Sequence, residues 1–357
     1  MLSLRDISAD TFPTPWSKQT FREGFIAMIA IALCLVLGQV TGHRAAGAIA
    51  AGGAFSIGFA VFHPTLSSPV LSMICATLGM ASATLAGSLA APWTPAVLIV
   101  VAFAAMNYGV ISSLGPSAGW LAQQSAVFLI VSTYFANGTH YAVGRAAMVL
   151  LGGALQITIH LLFRVRWNVH HGAPLWKIVA ARVRYDGREL HRQASWNSES
   201  VSFAGRLIVT MIVATALYRH LHLRNGYWIP MTALLVLKQQ WTGTVSRSLA
   251  RIVGTIGGAA IAFGLAHLTS LPHWFVGVMV VVFALCCFAL QAVNYALFSV
   301  VTTLYIVFLF RFGGFSETAA AHIRLLNTVI GGALALAIDF LWYLLVRPLR
   351  QRERQGL

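Results

Sequence analysis

Three cations crowd one short stretch of this chain, Lys238, Arg247 and Arg251. Arg247 and Arg251 are four residues apart, so on a helix they share a face. A guanidinium grips a carboxylate through two parallel hydrogen bonds, which makes the pair a candidate for binding an organic acid. Lys238 closes the apolar run 227–237. A helix of that length rises only ~17 Å, against a hydrocarbon core of ~30 Å, so either Lys238 lies within a membrane or the helix is broken. In the same run Trp228 offers a ring for stacking, and Thr232, one turn on, offers a hydroxyl. Trp228, Thr232, Lys238, Arg247 and Arg251 therefore form the candidate substrate-binding set. The same residues also fit a blander description, an interfacial aromatic belt and ordinary flanking charges.

A second kind of chemistry rests on His160 and Asp339. Each follows a glycine pair in an apolar run, and an acid inside such a run marks a functional position by default. Histidine titrates near neutrality and burial raises a carboxyl, so either could carry a coupled proton. Both also fit a water-exposed cytoplasmic end facing Arg164 or Arg347. No phosphate-binding loop, nucleophile elbow or zinc-binding helix motif occurs. His170 and His171 lack partner ligands, so no metal, no cofactor and no catalytic residue is expected, and the chain is not read as an enzyme.

The elements that must position these groups follow from composition. The 357 residues are 58% hydrophobic and 9% charged, with a mean hydropathy of +0.76, far from the ~25% charge of a soluble domain. The apolar runs are long rather than alternating, which predicts an all-α polytopic membrane protein rather than a barrel. The net charge of +15 flanks these runs, so topology and lipid headgroups account for it and nucleic acid is not an expected partner. Cys34, Cys75, Cys286 and Cys287 all fall within apolar runs and form no disulfide framework or metal spacing.

About twelve spans are expected, at 25–40, 46–62, 70–90, 96–111, 120–135 and 146–163, then 207–221, 227–237, 252–268, 274–290, 296–310 and 325–346. With both termini cytoplasmic, 18 of the 24 basic residues lie inside; Arg44, Arg145, Arg219, Arg224, Arg311 and Arg324 lie outside, as the positive-inside preference requires. The two halves repeat. Arg145, Gly152, Gly153 and His160 match Arg324, Gly331, Gly332 and Asp339 at one offset. Six spans per half make the repeats parallel, related by a pseudo-two-fold axis along the membrane normal, with a site between them. Gly254 and Gly258, with Gly152, Gly153, Gly331 and Gly332, are expected to seat neighbouring helices closely. The domain reading is a cytoplasmic tail (1–20), a first six-helix repeat (21–163), a basic cytoplasmic linker (164–202), a second repeat (203–346) and a cytoplasmic tail (347–357).

The run Tyr227-Trp228-x-Pro230-x-Thr232, followed by Thr244-x2-Arg247-x3-Arg251-x2-Gly254-Thr255-x2-Gly258, resembles the signature of the fusaric-acid-resistance-like family, which includes the aromatic acid exporters. The resemblance implies a bacterial inner-membrane protein that exports aromatic or other small organic carboxylates, and some relatives work with a periplasmic adaptor subunit. Energy would come from the proton gradient. The expected partners are a small organic anion, the lipid bilayer, an adaptor and a second copy of the chain. A passive anion channel and a non-transporting envelope assembly factor are the alternative readings. The chain departs from the family in lacking a large cytoplasmic domain and in the degenerate first-half counterpart of the motif.

Overall fold

A computed structural model describes the backbone of residues 18–64, 68–135, 138–163, 188, 199–268, 272–314 and 317–354. The expected tail as far as residue 17 and most of the expected linker, 164–187 and 189–198, lie outside the described residues. Twelve α-helices occur among the described residues. They are α1 (Lys18–Val40), α2 (Arg44–Gly58), α3 (Pro69–Ala90), α4 (Thr94–Ile111), α5 (Pro116–Ser132) and α6 (Gly138–Phe163), then α7 (Glu199–His220), α8 (Trp228–Val236), α9 (Trp241–Leu268), α10 (His273–Leu290), α11 (Tyr295–Phe312) and α12 (Glu317–Arg354). Ten are long and apolar enough to cross a membrane. That is two short of the expected twelve spans: α5 has 17 residues and α8 only nine. Two boundaries also move. α7 begins at Glu199, ahead of residue 203, and α12 continues to Arg354, past the expected end of the last repeat at 346.

Local chemistry starts several of these helices. Ser68 accepts a hydrogen bond from Leu71 N–H and precedes Pro69 at the first helical position, where a missing N–H is harmless. Asn294 caps α11 in the same way, accepting from Leu297 N–H. Gly115, at φ +126°, turns the chain from a short 3-10 segment into α5, a conformation open to glycine. Many large apolar side chains point outward, Val40, Ile99, Phe103 and Val253 among them, and such sides suit lipid.

Within the first half α1 packs on α2 and α6, α2 on α6, α3 on α5 and α6, and α4 on α5. Within the second half α7 packs on α8 and α12, α8 on α12, α9 on α11 and α12, and α10 on α11. α5 touches α8 and α2 touches α11 across the halves, but two larger helix contacts join them, α4 with α7 and α1 with α10. Both junctions are close. A Cβ on Gly109 of α4 would lie 2.5 Å from Ala204 Cα of α7, and one on Gly24 of α1 would lie 2.8 Å from Phe288 Cβ of α10. The two largest apolar cores straddle these junctions. One gathers Ile31, Phe55, Phe288 and Phe308 from α1, α2, α10 and α11. The other gathers Val101, Ile130, Leu207 and Leu234 from α4, α5, α7 and α8.

The glycines expected to pack helices all meet neighbours. Gly152 abuts the Ala50 carbonyl of α2, and Gly153 abuts Thr77 of α3. Gly331 abuts the Ile229 carbonyl of α8, and Gly332 abuts Ile252 of α9. Gly254 and Gly258 face Ser299 and Thr303 of α11.

Candidate functional site

The short helix α8 is the structural centre of the site. Eight of its nine residues are buried, and at ~1.5 Å per residue it rises only ~14 Å. Its ends have unsatisfied backbone groups deep inside the protein, and these must find partners. Side chains from other helices supply them. Ahead of α8, Asn327 donates to the carbonyls of Arg224 and Asn225, and Tyr134 Oη accepts from Asn225 N–H. Beyond it, Gln123 donates to the Leu234 carbonyl, Arg206 to the Gln239 carbonyl, and Lys238 N–H to Thr244 Oγ1. The helix is therefore broken before Lys238, which lies half-buried in the turn between α8 and α9.

Two arginines meet at this short helix. Arg324 of α12 is 2% exposed, with its guanidinium carbon 4.1 Å from the centre of the Trp228 ring. Nε, Nη1 and Nη2 of Arg324 are all buried without a hydrogen-bond acceptor. Arg251 of α9 is 3% exposed, and its buried Nε likewise has no acceptor. The two arginines stand on helices that pack on one another, α9 and α12, and their like charges repel. Buried hydroxyls without partners lie one helical turn from these groups in sequence, Thr232 from Trp228 on α8, and Ser248 and Thr255 from Arg251 on α9. Unpaired guanidinium groups are far from their water-solvated energy, and a buried cluster of donors lacking acceptors is complementary to an anion.

The remaining members of the candidate set sit apart. Arg247 is half-buried, 3.8 Å over the ring of Tyr295 on α11. Trp228 is 4% exposed, and its ring already meets Arg324 and, at 5.2 Å, the Tyr227 ring. Trp228 thus holds a cation through its face. Arg324 was placed by the sequence among outer flanking residues; it is instead enclosed by protein. Its signal was present, since it opens the repeated stripe that continues through Gly331 and Asp339, all buried. Arg145, its first-half counterpart, lies 3.7 Å over Phe135 and is half-buried.

His160 and Asp339 are both buried, at 3% and 1% exposure, rather than set in water at a cytoplasmic end. Asp339 accepts from Arg206 of α7 in a buried ion pair, and its second oxygen has no partner. His160 Nδ1 lies 3.9 Å from Glu23 Oε2 of α1. Neither Arg206 nor Glu23 stood out in the sequence, because each is one residue on an otherwise unremarked helix.

Residues 212–338, the stretch that holds α8, Arg251 and Arg324, match the family described as fusaric acid resistance protein-like. This part of the chain is similar to that family. Curated relatives agree. An uncharacterized protein of Haemophilus influenzae is 30% identical over 140 residues, which is 39% of this chain and 19% of that protein. Protein YhfK of Escherichia coli K12 is 31% identical over 141 residues, 40% of this chain and 20% of its own length. The inner membrane protein YccS of Escherichia coli K12 is 29% identical over 160 residues, 43% of this chain and 21% of its own length. The match thus spans about a fifth of each of these relatives. No solved structure matches the chain. The chain is a multi-pass membrane protein, with ten helices among the described residues long and apolar enough to span, and its second half is similar to the fusaric acid resistance protein-like family.

Proposed function

We propose that this protein is an inner-membrane secondary transporter that exports small organic carboxylates, aromatic ones included, at the expense of the proton gradient. One observation carries the reading: Arg251 and Arg324 are buried on two packed helices, and Arg251 Nε and all three Arg324 guanidinium nitrogens lack a hydrogen-bond acceptor among the described residues. A transported anion would supply the missing acceptors while bound. Arg247 and Lys238, less buried and on the near side of α9, would attract the anion toward them. Recognition is by charge more than by stacking, since Arg324 occupies the Trp228 face.

The carrier would be built as two parallel six-helix halves. The helix pairings support this: α1 to α6 pair with one another much as α7 to α12 do, and α4 with α7 mirrors α10 with α1. Gly152 against Ala50 and Gly331 against Ile229 stand at the same offset, as do Phe288 against Gly24 and Ala204 against Gly109 within one residue. Proton coupling would use the two buried pairs at equivalent helix contacts, Glu23 with His160 and Arg206 with Asp339. Their charge polarity is reversed between the halves. The inner-membrane location is supported by the similarity to YccS.

The test is uptake of labelled benzoate and hydroxybenzoate into everted membrane vesicles, with and without an imposed proton gradient. The reading expects gradient-dependent uptake that Arg251→Gln abolishes while the protein still inserts. Uptake that ignores the gradient points to a passive channel. No uptake of any carboxylate overturns transport.

A further inference from the structure

We infer that the Arg251–Arg324 site takes a dianion, a molecule with two anionic heads, in preference to a monoanion. The inference rests on the transport reading above and names the substrate class of that same site. Charge balance supplies the argument. Two acids are buried among the described residues, and both are engaged: Asp339 with Arg206, and Glu23 with His160. Neither is left to neutralise Arg251 or Arg324. The site therefore presents two buried positive charges. A single carboxylate leaves one of them uncompensated, and an isolated buried charge is strongly unfavourable.

Hydrogen-bond arithmetic agrees. Each guanidinium carries about five N–H donors, and one carboxylate offers only about four lone-pair sites. Two carboxylates, or a phosphate monoester, come closer to the number required. The hydroxyls of Thr232, Ser248 and Thr255, all buried without partners, add donors rather than acceptors toward the ligand. Geometry fixes the two cations on separate helices, α9 and α12, each held from the side. Arg324 rests on Trp228 at 4.1 Å. The Arg251 backbone is tied to α11 by Ser299 Oγ, which donates to its carbonyl at 3.3 Å. Two fixed, mutually repelling cations select a ligand that bridges them, because only a bridge relieves the repulsion as well as each desolvation.

The experiment is equilibrium binding to the purified full chain in lipid nanodiscs at neutral pH. The probes are phthalate with benzoate, and succinate with butyrate, so that charge is varied with the ring present and with it absent. Phthalate and succinate are expected to bind at least about tenfold more tightly than their monoanionic partners, a difference of about 1.4 kcal/mol, at one per chain. Arg324→Gln should erase that preference, weakening phthalate and succinate by at least about tenfold. Arg219→Gln, at a half-buried arginine bonded to Thr94 and Ala91 away from the site, should change nothing. If benzoate equals phthalate, or two benzoates bind per chain, the dianion inference falls and the transport reading stands. If the wild-type protein binds none of the four, both fall. The wild-type comparison decides the matter even where a variant fails to fold.

Discussion

Arg324 stands 4.1 Å over the ring of Trp228, enclosed by protein and without a hydrogen bond. A desolvated cation–π contact is worth roughly 2 kcal/mol, whereas burying an unpaired charge costs several kcal/mol. The ring therefore steadies the arginine without making its burial favourable. The residue is a standing strain unless an anion pairs with it.

It follows that Arg324→Met should raise stability in the absence of anions, by about 1–3 kcal/mol, while abolishing transport. Thermal unfolding in detergent reads the first and vesicle uptake the second. A melting temperature that drops by a comparable amount would mean that an internal partner balances the charge.

The ion pair of Arg206 with Asp339 behaves in the opposite way. Asp339→Asn leaves Arg206 buried without its counter-charge and should lose about 3–5 kcal/mol. Combining it with Arg206→Met should recover most of that loss. A double-mutant cycle on the unfolding free energy measures the coupling. Losses that simply add would place the two side chains in separate environments.

Helix α9 approaches α11 along Gly254 and Gly258. A Cβ at Gly258 would lie 2.6 Å from both Thr303 Cβ and the Val300 carbonyl, and backbone cannot step aside cheaply. Gly258→Ala should lose about 1–3 kcal/mol by overpacking. Gly144→Ala on α6, where nothing lies within 4 Å, should instead gain up to about 1 kcal/mol from helix propensity. Unfolding of the two variants side by side checks the contrast.

Acid should weaken the fold through His63. It follows the 3-10 segment at Phe59–Phe62, stacked 4.8 Å from Trp120. Burial lowers its pKa from 6.5 to about 4. The unfolded chain then binds the proton first, so this contribution is intact above about pH 6.5 and is lost as pH falls toward 4. His63→Phe should flatten the stability profile across that window. A profile identical to that of the wild type would remove His63 from the acid response.

The helices and the glycine contacts were legible because apolar length and small-residue spacing are local signals. The break in α8 was legible too: the run 227–237 is too short to span, and the structure ends the helix at Val236. Hydropathy cannot tell a charge at a span's end from one folded inward, so Arg324 read as an outer flank. Its repeat partner Arg145 hinted otherwise. The partners of His160 and Asp339 were invisible for a different reason. Glu23 and Arg206 lie far away in sequence, and only the packing of α1 on α6 and α7 on α12 brings each pair together.

The most direct measurement is a crystal or electron-microscopy structure of the chain with 4-bromophthalate, the bromine located by its anomalous signal or its density. The account predicts the ligand between Arg251 and Arg324, with a carboxylate on each guanidinium. Ligand bound elsewhere, with both arginines bare, would contradict it.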